Sequence, residues 1–219
     1  MIRQSFEQAL QRLQDDILLL GSMTEQAVTR SVEALRARDV ALARQIIADD
    51  MRINQKRFAI EDTCVDIIAR QQPMARDLRK ITAALIIANE LERMADHAQG
   101  ISKINVMMGD EPLLKPLVDI PRMAEKGVAM THEALDAFVR GDVEQAKRVA
   151  GEDDEVDALY DQIYRELLVF MLNDSKTISR ATWLLWVAHN LERVADRATN
   201  ICERVVFMVT GELVEYNVA

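Results

Sequence analysis

Aromatic side chains account for only 5% of this 219-residue sequence, which also has just 7 glycines and 4 prolines. So little turn chemistry, against 49% hydrophobic residues drawn mainly from Leu, Ile, Val, Ala and Met, argues for long helices. Cysteine is nearly absent. Cys64 and Cys202 lie far apart and outside any Cys-x-x-Cys motif. They exclude a disulfide framework and are expected to behave as small buried hydrophobes. No apolar run approaches the roughly 20 residues of a membrane span, the longest being at 83–88 and 183–188. The amphipathic start MIRQSFEQALQRL lacks the apolar stretch of a signal peptide, so a cytoplasmic protein is expected. Positive charge is not in excess either: 36 acidic residues face 27 basic ones, a net charge of −9. Nucleic-acid binding, driven by phosphate neutralisation, is disfavoured, whereas a metal cation or a basic protein surface is a better match. Gly-rich phosphate loops, nucleophile elbows and Cys/His zinc signatures are also missing.

What is present is a long internal repeat. LERMADHAQGI at 91–101 returns as LERVADRATNI at 191–201, an offset of 100. Upstream, Met23, Glu25, Val28, Glu33, Ala34 and Leu35 return as Met123, Glu125, Val128, Glu133, Ala134 and Leu135. Between these anchors the offset becomes 103, pairing Asp39 with Asp142 and Asp50 with Asp153. A period this long implies duplication of a supersecondary unit, not a short solenoid.

Helix punctuation divides each copy into three. In the first, helices are expected over about 3–37, then from the N-cap Asp39 to about 71, then from Pro73 to about 108. In the second, Gly141-Asp142 and Asn173-Asp174-Ser175 mark the corresponding breaks. Pro112, Pro116 and Pro121 mark a linker over 110–122. The expected fold is all-α: two tandem three-helix bundles, six long antiparallel helices related by duplication, with domains at 1–109 and 123–219.

Glu92 and Asp96 are four residues apart and share one helix face, as do Glu192 and Asp196. On a helical wheel they point away from the apolar stripe through Leu91, Met94, Ala98 and Ile101. Like charges at this spacing cost a few tenths of a kcal/mol, which Arg93 and Arg193 offset only in part. Asp153 and Asp157 repeat the spacing on the preceding helix of the second copy, where the first copy has Asp50 and Asn54. Side-by-side helices would then gather up to four oxygen-bearing side chains per copy, a set suited to hard or borderline cations such as magnesium, manganese or iron. The bland alternative is a solvated acidic face. His97, His132 and His189 do not recur at equivalent positions and are expected at the surface or at helix ends, not as ligands. A ferritin-like di-iron centre would need Glu-x-x-His pairs, and Met94 and Trp186 stand where the glutamates should be.

The duplicated unit, with LERMADH and LERVADR closing the two copies and PMARDLRKI at 73–81, resembles the PhoU family over essentially the whole chain. That resemblance implies tandem three-helix bundles with surface metal clusters held by Glu/Asp-x-x-x-Asp motifs, the metal being iron, manganese, magnesium or zinc. By position, the ligands would be Asp50, Asn54, Glu92 and Asp96 in the first copy and Asp153, Asp157, Glu192 and Asp196 in the second. Asn54 replaces the Asp of the motif, which makes the second copy the stronger expected site. The resemblance further implies a non-catalytic negative regulator, commonly a homodimer, linking the phosphate ABC transporter through its ATPase subunit to the phosphate-sensing histidine kinase. Such a protein would be cytoplasmic and recruited to the inner membrane face through its partners. The competing readings are a metalloenzyme using the carboxylates and a helical scaffold with no specific metal.

Overall fold

A computed structural model describes residues 2–216, with side chains from residue 6 onward, so residues 217–219 of the second repeat lie outside it. The first repeat holds three long helices, α1 (Ile2–Ala37), α2 (Val40–Gln71) and α3 (Ala75–Met108). The second holds α4 (Asp119–Arg140), α5 (Val143–Ala150), α6 (Asp153–Asn173) and α7 (Ile178–Thr210), with a short 3-10 turn at Ser175–Thr177. Among the described residues there is no strand, and no helix is long and apolar enough to cross a membrane.

The aspartates aligned by the 103-residue offset make the same cap. Asp39 accepts a hydrogen bond from the Leu42 backbone N–H at 2.8 Å, and Asp142 from that of Gln145 at 2.9 Å. Each satisfies a first-turn donor that would otherwise lack a partner. Before Asp142 the chain turns through Gly141 at φ +64°, whereas Arg38 takes the equivalent left-handed turn before Asp39 at φ +57°. Glycine makes that turn without the steric cost an arginine bears.

Two boundaries differ from the punctuation. Pro121 lies inside α4, not in the linker, because α4 begins at Asp119. In a first turn the missing proline N–H has no intrahelical partner to lose. The middle helix of the second repeat is also broken: α5 ends at Ala150 and α6 starts at Asp153, with Gly151 and Glu152 between them. The six-helix plan holds, with one of the six in two pieces.

The two repeats share a single hydrophobic core. Helices α3 and α7 make the most extensive contact in the molecule, α1 packs on α4, and α2 and α6 flank this central set. Fully buried Ala88 and Ala95 on α3, and Ala188 and Ala195 on α7, keep the inner helices slim enough to approach closely. Polar groups pin both ends of this seam. Glu90 accepts from Arg197 at 3.3 Å and from Asn200 at 3.0 Å, while His97 Nδ1 pairs with Asn190 Oδ1 at 3.0 Å. Residues 90 and 190, 97 and 197, and 100 and 200 are repeat-related, so α3 and α7 cross antiparallel about a pseudo-twofold axis. His97 is therefore half-buried between repeats, where its bond orients Asn190, and is neither a surface nor a helix-end residue. Burial pulls its pKa below the usual histidine value, with Arg197 and Arg193 adding to the fall against the opposing Asn190 bond.

Candidate metal centre

Of the Glu-x-x-x-Asp pairs, Asp96 is exposed, whereas Glu92, Glu192 and Asp196 are partly buried. Each pair lies along a groove between its own helix and the neighbouring flank helix: α3 against α2 in the first repeat, α7 against α6 in the second. Glu92 is 15% exposed at its side chain, and Glu192 and Asp196 are 23% and 20% exposed. The wheel angle that takes them off the core stripe is correct. A third helix fills the space it leaves.

In the first repeat, Asp50 is buried in the interior of α2, about three turns from its start, and Asn54 Nδ2 donates to its Oδ2 at 3.0 Å. Its other oxygen, Oδ1, is buried with no hydrogen-bond partner. Burial and then the Asp96 carboxylate push the Asp50 pKa up, against smaller opposing effects of Lys103 and the Asn54 bond. Glu92 is pushed up likewise by burial and then by Asp96, with Arg57 and Arg93 opposing and Asp50 adding a further push. These three carboxylates thus sense one another across the α2–α3 groove, as the sequence alignment of the copies implies. Arg57 enters from α2, its Nε 3.6 Å from Glu92 Oε1 and its guanidinium also paired with Glu61.

In the second repeat, Asp153 is buried in the first turn of α6, beside Asp154 and Glu155. Negative charge there is favoured by the helix dipole. Asp157, one turn on, is raised by burial and then by Glu192 and Asp196 across the groove. Glu192 Oε2 meets His189 Nδ1 at 2.8 Å, and Asp196 pairs with Arg193 at 2.6 Å. Where Arg57 stands in the first repeat, the aligned residue is Tyr160. Its hydroxyl pKa is raised by burial and by Glu192, and its ring centre lies 6.3 Å from that of His189.

Sequence reasoning missed Arg57, Tyr160 and His189 as neighbours of the carboxylates. Arg57 was detectable: it lies seven residues after Asp50, two turns along the same face of α2. His189, set aside because its partner position 89 is Asn, is one turn before Glu192 and touches it.

The donor set is hard oxygen, and Asp50 Oδ1 is an acceptor in want of a cation or donor. The groups fit a metal in chemistry. They are not drawn into a cage: among the described residues no three His, Cys, Asp or Glu side chains converge as ligands. Arg57, Arg193 and His189 already engage the carboxylates that an ion would require, and those side chains would have to rotate away.

Comparison with known proteins places this architecture. The PhoU domain model matches twice, at residues 17–104 and 120–205, once per repeat. The chain belongs to the PhoU family. The phosphate-specific transport system accessory protein PhoU of Escherichia coli K12 is 34% identical over 207 residues, covering 94% of this chain and 86% of that protein. The PhoU homolog of Clostridium acetobutylicum is 37% identical over 218 residues, covering 99% of this chain and 100% of its own. Among solved structures, the phosphate transport system regulatory protein PhoU of Streptococcus pneumoniae superposes with a TM-score of 0.89 at 32% identity. It covers 96% of this chain and 99% of its own. PhoU of Pseudomonas aeruginosa also gives 0.89, at 35% identity, covering 94% and 100%. The PhoU fold therefore runs through both repeats and their shared seam.

Proposed function

We propose that this PhoU-family protein is a non-enzymatic negative regulator of the phosphate-starvation response. It acts as an adaptor between the ATPase subunit of a phosphate ABC transporter and a phosphate-sensing histidine kinase, at the cytoplasmic face of the membrane. The observation that carries the reading is a pair of complete PhoU repeats aligned end to end with relatives named as accessory proteins of phosphate-specific transport.

Metal enters this reading as a regulator of shape. A divalent or trivalent ion held by Asp153, Asp157, Glu192 and Asp196, or by Asp50, Asn54, Glu92 and Asp96, would tie a flank helix to the central seam. It would also displace Arg193 or Arg57 toward solvent. The displaced arginine would change the charge that the groove presents to a partner.

Deleting the gene is expected to derepress phosphate-starvation genes in phosphate-rich medium. Unchanged repression in the deletion strain would overturn the regulatory reading. Elemental analysis of untagged protein, wild type against a Glu92→Ala/Asp96→Ala/Glu192→Ala/Asp196→Ala variant, tests the metal. Equal metal in both would favour a plain helical scaffold, a reading supported by the ion pairs that already occupy the carboxylates.

A further inference from the structure

Away from the carboxylate grooves, a cavity of about 280 Å³ opens where α1, α3, α4 and α7 meet at one end of the central seam. Its floor is apolar. Leu13 from α1, Phe138 from α4 and Met208 from α7 line it, all buried. Its rim is cationic: Arg76 and Lys80 from the start of α3 and Arg140 from the last turn of α4 face Glu7 as the lining's lone carboxylate. In a chain with a net charge of −9, this is a marked local inversion.

Arg76 and Lys80 stand four apart on one helix face, a like-charge spacing that destabilises a helix by a few tenths of a kcal/mol. Among the described residues neither forms an ion pair. Arg140 is paired with Asp136 at 3.1 Å, a bond that an incoming phosphate would have to compete with. The frame around the cavity is fixed. Arg79 donates to the Met208 carbonyl at 3.4 Å and covers Gly211, while Gln14 donates to the Val139 carbonyl at 3.5 Å. The segment PMARDLRKI therefore supplies one arginine that ties the repeats together and two cations that line the cavity with Glu7 as its lone carboxylate. The second repeat has no counterpart of this segment, having Thr177 to Arg180 in its place.

We propose that this cavity binds a small organic phosphate. The phosphate sits on Arg76, Lys80 and Arg140, and an apolar or aromatic body lies against Leu13, Phe138 and Met208. The volume is at the low end of ligand pockets, which limits the ligand to about the size of a mononucleotide. An apolar floor alone would suit a neutral ligand, and a cationic rim alone would suit any anion; the combination selects for both. Because both repeats line the cavity, the ligand would bridge them. The site stands independently of the regulatory reading, since its test is binding by the purified chain.

The test is calorimetric titration of the full-length protein with AMP, inorganic phosphate and adenosine as probes. AMP is expected to bind more tightly than either of the others, with affinity falling as salt rises. The Arg76→Ala/Lys80→Ala variant should bind AMP at least tenfold more weakly with an unchanged unfolding midpoint, and Arg140→Ala, from the other repeat, should weaken it in the same direction. No AMP binding at millimolar concentration, or equal affinity in wild type and the double variant, overturns the site. Phosphate binding as tightly as AMP overturns the role of the apolar floor. Adenosine binding as tightly as AMP overturns the role of the cations.

Discussion

The first repeat carries Asp50 in the interior of an unbroken 32-residue helix, and the second carries the aligned Asp153 at the first position of α6, just past a break. Arg57 leans on Glu92 in one repeat, and the neutral Tyr160 stands at the aligned place in the other. One ancestral motif has thus been placed in two electrostatic settings. In the first, the buried carboxylate of Asp50 lies inside a helix and faces two more across the groove, with Lys103 opposing its rise and Arg57 engaging Glu92. In the second, the helix dipole favours the acid at the α6 start, and Asn54 is replaced by the carboxylate of Asp157. The contrast extends to the seam. Its two ends are repeat-related, yet one is a charged cluster of Glu90, Arg197 and Asn200 and the other a neutral pair of His97 and Asn190.

The largest expected effect breaks the comparison at that seam. Glu90 and Arg197 are only 14% and 17% exposed, so Arg197→Ala leaves a nearly buried carboxylate without its cation. A loss of about 3 kcal/mol is expected in urea unfolding. Asn190→Ala at the other end removes neutral hydrogen bonds and should cost about 1 kcal/mol. Equal costs would mean that the charged end is no more important than the neutral one.

Next in size is metal affinity, read by titrating manganese(II) into metal-free protein. Glu192→Ala/Asp196→Ala should weaken the tighter site by about tenfold or more, and Glu92→Ala/Asp96→Ala should leave that site intact. Asn54→Asp restores the missing carboxylate to the first repeat and should narrow the gap between the two. A first-repeat site that stays as weak after Asn54→Asp would assign the difference to Arg57 instead of Asn54.

A smaller effect concerns protons in the metal-free protein. The Asp50 carboxyl is raised above its ordinary 3.8 by burial and by Asp96, so the folded state binds its proton more readily than the unfolded state does. This site therefore favours folding at low pH, and that contribution is lost as pH rises through the raised value. Asp50→Asn should raise Tm at neutral pH, and the gain should vanish below about pH 3.8. Asp157→Asn should act in the same direction but more weakly, because Asp157 is exposed. Thermal melts over this pH range check the sign.

Much of this was legible in the sequence for local reasons. Asp39 and Asp142 announce helix starts because a cap needs only a short acidic side chain and the next turn. The glutamate and aspartate of each LER motif share a face by helical spacing alone. The contacts of Arg57 with Glu92 and of His97 with Asn190 were not legible in this way, because each depends on which helix packs alongside and at what height. The inward turn of Glu92 belongs to the same class: the wheel gives its angle, and only packing shows that α2 occupies that angle. Asn54 was visible as the departure from the motif. The burial of Asp50, which makes that departure matter, was not.

The break at Gly151 is the hardest feature to read, and it carries the smallest prediction. Ala48 is the aligned residue of the first repeat, where α2 runs on without interruption. Gly151 has φ −72° and ψ −8°, a right-handed conformation open to any residue. A Cβ there would lie 3.5 Å from the Arg148 carbonyl oxygen, an ordinary contact. Gly151→Ala should therefore stabilise the protein by about 0.4–1 kcal/mol, chiefly by narrowing the unfolded ensemble. The break itself is held by more than the glycine. Glu152 pairs with Lys126 at 2.7 Å and Glu155 with the same lysine at 3.0 Å, which anchors the start of α6 on α4. Gly151→Ala alone should leave the helical content by circular dichroism unchanged. Adding Lys126→Ala should let α5 and α6 merge and helical content rise. Merging would carry Asp153 out of a first turn and into the mid-helix setting of Asp50, and the manganese affinity of the second repeat should then fall toward that of the first.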